Sequence, residues 1–329
     1  MDVLRAAIAR DLERGATLAA WRRAAASAWS RISAARVCRP LALPAGVPIV
    51  GVGGAVLGGA GKTPVAIAIA RELARRGARP AVVGHAFRAA PGRARVVAVD
   101  DPVACVGDDA LSAARLLADD GVPVVVAPTR QRAVELAASL ATVLVVDGLL
   151  QATRARISDA VLVLDAAAPW GAGACPPLGD LRAPRGPLLA AADHVCLLCE
   201  PESERPFTTD GATVRIEARL AGTRDATGVL SPLAALAGAR LGLALAVARP
   251  ERIERALARV GLVPAVRVLL ADHAPFDTKR LAAAHVDAWL TTARCATKLP
   301  VRIGGAPVLA LDHHVDAVPL VDRLRFAAR

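Results

Sequence analysis

The sequence predicts an α/β protein, a parallel sheet flanked by helices, with a second, smaller α/β domain toward the C-terminus. Three observations predict it. Val, Leu and Ile recur in short unbroken blocks instead of alternating with polar residues, as strands buried on both faces do. Helix-like stretches separate those blocks, so consecutive strands run parallel. A glycine-rich turn lies between the first block and the first of these helices, and the strand–helix alternation begins there.

In chain order, Ile49–Val52 is the first strand, followed by the glycine turn, a helix from Thr63 to Arg76 and a strand at Pro80–Val83. Further strands are expected at Ala94–Val99, Val122–Val126, Thr142–Val146 and Ala160–Leu164, with helices over 108–118 and 130–140. A Pro- and Gly-rich stretch, 168–187, is longer than a connection requires and is a candidate binding loop. A polar strand at Thr213–Leu220 leads into the second unit. There Leu241–Val247, Val263–Leu270 and Ala288–Thr291 read as strands, a helix opens at Pro250, another lies near 277–285, and a closing helix is expected near 316–328. At 329 residues the chain exceeds the size at which one core stops growing, roughly 250–300 residues, so two lobes are expected.

Residues 1–45 are set apart as basic amphipathic helices. Leu4, Ala7, Ile8 and Leu12 recur at helical spacing, and a second segment mixes Leu18, Trp21, Trp29 and Ile32 with Arg22, Arg23, Arg31, Arg36 and Arg39. Such a helix can lie in a membrane interface with its apolar face in lipid, or pack on the core as an ordinary surface helix.

Composition narrows the partners. Hydrophobic content of 54 % with 22 % charge excludes intrinsic disorder. The one uncharged run long enough to span a bilayer, Pro40 to Gly61, is broken by prolines and glycines, which argues against a multi-pass membrane protein. A net charge of +11 calls for an anionic partner. With 2 % aromatic residues there is little to stack on bases, so no nucleic acid is expected. Six scattered cysteines without a leading signal peptide suggest a reducing compartment, and the Cys196/Cys199 pair, inside an apolar run, reads as buried strand cysteines.

The chemistry concentrates in Gly58-Gly59-Ala60-Gly61-Lys62-Thr63-Pro64, between a strand and a helix. Backbone N–H groups of such a loop cradle phosphate oxygens, the helix N-terminus adds positive potential, the lysine reaches the outer phosphates and the hydroxyl meets Mg²⁺. The usual pattern has glycine where this chain has Val56. Lys62 is one of only three lysines among 41 basic residues, which strengthens the reading of a nucleoside triphosphate site and a P-loop NTPase-like sheet. Val143 to Asp147 is an apolar strand ending in an acid, the position from which a carboxylate holds Mg²⁺. Asp108 and Asp109 open a helix, where the dipole favours acids in any case. Asp272-His273 ends a strand of the second unit, and His313-His314 reads as structural.

The order of these motifs resembles the tetraacyldisaccharide 4′-kinases, the lipid A pathway enzymes that phosphorylate a membrane-embedded disaccharide lipid; the likeness runs from about residue 46 to 300. The phosphate loop is similar to that family's GGTGKTP, Val106-Gly107-Asp108-Asp109 to its VGDEP, and Gly171 to Pro184 to its GNGRLLPAGPLREP. Ala248 to Arg252 resembles ARPERF, Asp272 to Phe276 resembles DHHxY/F, and Thr291-Thr292 begins TTEKDAVKL. The resemblance implies a peripheral enzyme on the cytoplasmic face of the bacterial inner membrane, with an ATP-binding core over 46–210 and a smaller domain over 211–329. It implies ATP and Mg²⁺ at Lys62, Thr63 and Asp147, and Arg130 on substrate or phosphate alongside Asp109. Asp108 would be the base for the 4′-hydroxyl proton, supported by His273. A lipid disaccharide and an anionic membrane surface would be the partners.

Several polar positions depart from the family pattern. Its SRGYGG is here Gly84 to Ala89 with His85 and Phe87, its DDGFQH is Val146 to Gln151, the GNG asparagine is Ala172, and TTEKDA is Thr291 to Ala296 with Ala293 and Arg294. These departures define the alternative to a working kinase: a paralogue that binds nucleotide and lipid without efficient turnover.

Overall fold

The apolar blocks become the inner strands of a sheet. The computed structural model describes residues 11–12, 20–39, 41–152, 158–201 and 213–326. The helical spacing read from Leu4, Ala7, Ile8 and Leu18 lies outside the described residues, as does the side chain of Arg39. The chain divides into a larger unit ending at Glu217 and rejoined from Val315 onward, and a smaller unit, Ala218–His314.

The principal elements of the larger unit are α1 (Ala20–Ala35), β1 (Ile49–Gly54), α2 (Lys62–Arg75), β2 (Pro80–Val83), β3 (Arg95–Val96), α3 (Asp108–Leu117), β4 (Val124–Val126), α4 (Arg130–Leu140), β5 (Val143–Asp147), β6 (Asp159–Asp165), α5 (Arg185–Ala190) and β7 (His194–Cys199). The strand β8 (Thr213–Arg224) follows, and the chain passes from the larger unit to the smaller within it.

The strands of the larger unit lie in the order β8–β7–β6–β1–β5–β2–β4–β3. All neighbours are parallel except the edge pair β3 and β4. β1 has β5 on one side and β6 on the other. The sheet therefore grows one way through β2 and β4 and the other way through β6 and β7, which makes the carboxyl end of β1 a topological switch point, where α/β sheets open a crevice. Every residue of β1, β5, β6 and β7 is buried, which is why the sequence shows them as unbroken apolar runs. One face packs Ile49, Val83, Val125, Leu144 and Val146 against Val134 and Ala137 of α4. Another cluster joins Leu162, Leu164 and Leu197 to Leu188 of α5 and to Trp170 and Leu181 of the Pro/Gly-rich stretch. Each such aliphatic side chain contributes about 1.5–3 kcal/mol by leaving water.

The smaller unit contains β9 (Leu241–Ala246), α6 (Pro250–Arg259), β10 (Val266–Leu270), α7 (Thr278–Ala282), β11 (Ala288–Thr292), α8 (Ala293–Ala296) and β12 (Ala306–Val315). β10, β9, β11 and β12 are parallel neighbours in that order. Its core has two sides, Leu243, Leu245 and Leu290 under Ile253 and Leu257 of α6, and Trp289 with Leu281 of α7.

Two expectations are corrected. β12 was not foreseen, and the closing helix expected near 316–328 is only one turn, α9 (Val318–Val321). Leu320, Val321 and Leu324 are buried at helix-like spacing, yet the chain leaves the helix after Val321, and the backbone N–H of Arg325 is bound by the fully buried Asp159. The stretch 168–187 also holds the start of α5. Cys196 and Cys199 sit fully inside β7, where burial pushes the Cys196 thiol up, opposite to what redox or metal use requires.

Glu72 links α2 to the C-terminal turn. Its carboxylate accepts from Arg75 Nε (2.7 Å) and Arg76 Nε (2.7 Å), and Arg76 Nη2 donates to Asp322 (2.7 Å). The Arg75 hydrogen bond, helped by Arg76 and opposed by burial, holds the Glu72 carboxyl at about 2 against an ordinary 4.5. A depressed carboxyl stabilises the fold above its unfolded pKa, and that stability drains as pH falls toward the folded value. Glu72→Gln is therefore expected to flatten the loss of stability between pH 4.5 and about 2, read from denaturation midpoints against pH. An unchanged slope would show that the ion pairs contribute nothing.

Candidate active site

The site is built at the carboxyl end of β1. Gly54 allows close closure of the turn, because a Cβ there would stand 2.8 Å from the Cβ of Ala60. Gly61 precedes α2 with φ of +80°, a conformation that glycine adopts without strain. Lys62 and Thr63 open α2, and Pro64 falls in the first turn, where its missing N–H removes no helical bond. Gly58, Gly59 and Ala60 form the rest of the turn. Val56 is tolerated where glycine is usual, because its φ is not positive and its side chain is buried in the cluster that includes Leu181. Its backbone also forms an antiparallel bridge to Leu181.

The register of the sheet sets the next residue. Val52 of β1 pairs with Asp147 of β5, so the acid ends the strand beside the one that leads into the phosphate loop. Thr63 Oγ1 donates to Asp147 Oδ2 at 2.6 Å. Asp147 is buried, and among the described residues its Oδ1 has no hydrogen-bond partner. Such an orphan is costly in a folded protein and marks a place for a ligand. Hard oxygen donors of this kind suit a small divalent cation. Asp147 is followed by Gly148 with φ of +78° and not by a helix, so it is no helix cap.

Cations gather around Gly148. Arg130, the first residue of α4, donates from Nη1 to the Asp147 carbonyl. A Cβ on Gly148 would lie 3.3 Å from Arg130 Nη2, 3.9 Å from His85 Cδ2 and 4.0 Å from Lys62 Cε. The structure thus brings Lys62, Arg130, Thr63 and Asp147 together, with His85 beside them.

Asp108 and Asp109 open α3 after Gly107, which packs against the backbone of residues 85–87. Asp108 is buried, and its Oδ1 accepts the Asp109 N–H at 3.0 Å. Asp109, His85, Thr63 and Asp147 line one small pocket, which joins the α3 end to the phosphate loop.

The Pro/Gly-rich stretch is tied to this region. Asp180, itself buried, accepts the Ala172 N–H at 2.8 Å, and its carbonyl accepts the Leu57 N–H at 2.9 Å. Arg182 N–H donates to the Ala55 carbonyl at 2.8 Å. A groove of about 180 Å³ runs from Lys62 and Leu57 past Arg182 to Trp29 and Ile32 of α1 and to Arg36 just beyond it. Sequence reasoning missed Asp180, Arg182 and the α1 side chains as parts of one groove. The one acid in the Pro- and Gly-rich stretch 168–187 was the available signal.

In the smaller unit, His273 has φ of +60°, rare for a residue with a side chain. Its neighbour Asp272 accepts from Arg294 Nη2 at 2.5 Å.

A central parallel sheet, a glycine loop at its switch point and a Lys–Thr–Asp constellation at the start of the following helix define a P-loop fold of the kinase class. Residues 18–321 match the family described as tetraacyldisaccharide-1-P 4′-kinase. A tetraacyldisaccharide 4′-kinase of Anaeromyxobacter sp. (strain Fw109-5) is 35 % identical over 299 residues, covering 83 % of this chain and 78 % of that protein. One from Methylobacterium sp. (strain 4-46) is 33 % identical over 296 residues, covering 84 % and 85 %. The crystal structure of LpxK from Aquifex aeolicus in complex with ATP shares the fold with a TM-score of 0.70 at 19 % identity, covering 88 % of this chain and 92 % of that one. The chain belongs to the tetraacyldisaccharide 4′-kinase family.

Proposed function

We propose that the protein transfers the γ-phosphate of ATP to the 4′-hydroxyl of tetraacyldisaccharide 1-phosphate, in lipid A biosynthesis. The observation that carries this is the Thr63–Asp147 pair beside Lys62, in a chain of this family. The 4′-oxygen forms its bond to the γ-phosphorus while the bond to the bridging oxygen breaks and ADP leaves.

Lys62 and the N–H groups of residues 58–63 bind the phosphates, and Arg130 holds the γ-phosphoryl group by charge. Thr63 and Asp147 would hold Mg²⁺; the hydroxyl, the orphaned Asp147 oxygen and their burial fit a small hard cation. When bound, that ion supplies neutralisation of charge on the outer phosphates. Asp108 takes the proton of the 4′-hydroxyl on its carboxylate, with His273 in the supporting role that the family pattern gives it. Asp109 lines the phosphate side of the pocket. The catalytic chemistry asked of the protein is positioning and charge complementarity. The departures at His85, Phe87, Ala172 and Ala293 leave this set of residues intact, so a working kinase is favoured over an impaired paralogue. Incubation of the purified protein with lipid acceptor and labelled ATP tests the reading: transfer is expected, and nucleotide binding without transfer would overturn it.

The protein acts from the cytoplasmic face of the inner membrane as a peripheral enzyme. Among the described residues no helix is long and apolar enough to cross a membrane. α1 instead leaves Trp21 64 %, Trp29 44 % and Ile32 50 % exposed along one stripe, with Arg22, Arg23 and Arg31 on the same helix and Arg36 just after it. Exposed aromatics flanked by arginines suit an anionic lipid surface. Trp21→Glu is expected to weaken flotation with anionic vesicles at least tenfold, and deletion of residues 1–39 to abolish it. Full binding by both variants would exclude α1 as the anchor.

A further inference from the structure

We propose that Arg294 is a positioning residue that fixes the tautomer and orientation of His273, so that the ring presents Nδ1–H and not Nε2–H to the reaction; this rests on the role given to His273 above. A guanidinium has no acceptor, so any bond between it and an imidazole nitrogen requires that nitrogen to accept. Arg294 Nη1 lies 3.0 Å from His273 Nε2. That contact is a hydrogen bond only when the Nε2 lone pair accepts it and the ring proton sits on Nδ1. Arg294 is itself held at the other edge of its fork. Nη2 donates to Asp272 Oδ1 at 2.5 Å and to the Ala246 carbonyl at 3.2 Å. The same carbonyl accepts the backbone N–H of His273 at 3.1 Å, so the strand end of β9 anchors both residues.

The competition around Nε2 points the same way. Asp272 Oδ2 is 3.7 Å from His273 Nε2, beyond hydrogen-bond length, while its other oxygen is taken by Arg294. Without Arg294, Asp272 would draw a proton onto Nε2, either as the other tautomer or as imidazolium. Arg294 thus reserves the carboxylate for itself and keeps the histidine a neutral Nδ1–H donor. His273 itself holds a left-handed backbone, φ of +60°. Such an arrangement leaves Nδ1–H as the ring's donor and removes Nε2 as an acceptor of the substrate proton.

The test compares the full-length wild type with Arg294→Met, Arg294→Lys, His273→Ala and the double variant His273→Ala/Arg294→Met. Arg294→Met is expected to lower kcat roughly 10- to 100-fold, part of what a positioned acid–base pair contributes, with KM for ATP within about twofold. Arg294→Lys, which keeps one donor, is expected to recover most of the loss. In the His273→Ala background Arg294→Met is expected to add nothing. Nitrogen-15 spectra of histidine-labelled protein read the tautomer directly: Nδ1 pyrrole-like and Nε2 pyridine-like in the wild type, and a mixture or imidazolium in Arg294→Met. Wild-type kcat in Arg294→Met, or an unchanged Nδ1–H tautomer in that variant, overturns the proposal. A fully active His273→Ala would instead overturn the role given to His273, and the spectra would still decide whether Arg294 sets its tautomer.

Discussion

Replacing Lys62 by alanine is expected to weaken ATP binding by about 10- to 150-fold, the scale of one charge-assisted hydrogen bond at about 1.5–3 kcal/mol. The remainder survives because the turn of glycine N–H groups and the N-terminus of α2 still favour an anion. Lys62→Arg is also expected to fail, although most of the chain's 41 basic residues are arginine. An ammonium is a compact point charge, whereas the planar guanidinium needs room at its end. Lys62 Cε and Arg130 Nη2 already converge on Gly148, within 4.0 Å and 3.3 Å of where a Cβ would stand. Titration calorimetry with ATP measures both variants. Wild-type affinity in Lys62→Ala would remove the phosphate-loop reading altogether.

Asp108→Asn is expected to lower kcat by about 10²–10⁴, the range of a positioned general base, while ATP affinity stays within a few fold. Asparagine keeps the shape and retains an oxygen for the Asp109 N–H that Asp108 now binds. If Asp108 serves only the helix terminus, Asp108→Asn keeps its activity and Asp108→Ala costs about 0.5–2 kcal/mol of stability with kcat preserved. Labelled-phosphate transfer, set beside thermal denaturation of both variants, separates those outcomes. A kcat for Asp108→Asn within threefold of wild type would end its assignment as the base.

The parts of this fold legible in the sequence are those whose determinants are local. Strands buried on both faces must be continuously apolar, so the blocks at 49–52, 80–83 and 160–164 fall within or coincide with β1, β2 and β6. The phosphate loop carries its own glycines, lysine and threonine in seven consecutive residues. β12 was hidden because six of its ten residues are not buried and its C-terminal part, Asp312-His313-His314, interrupts the apolar pattern. The closing helix failed for the opposite reason: its apolar spacing was right, but the Asp159 carboxylate binds the chain beyond Val321. At the site, Asp147 was legible because a strand ends in it. The bond from Thr63, the convergence of Arg130 on Gly148 and the anchoring by Asp180 join residues far apart in sequence, and no local pattern announces them. Arg294 was visible only as a departure from the family's lysine, and its grip on His273 spans 21 positions.

Asp180 has a consequence for the entropy of binding. A stretch of some twenty residues, left free, would be ordered at the moment a ligand arrives, at about 1–2 kcal/mol for each backbone unit fixed. Asp180 closes it instead into short loops, one back to Ala172 and one onto Leu57 beside the phosphate turn. The ordering is thereby completed during folding, and the rim of the groove is pre-organised before any ligand enters. Loosening that carboxylate would leave every side chain of the groove in place chemically, yet make each encounter with a ligand carry the cost of assembling it.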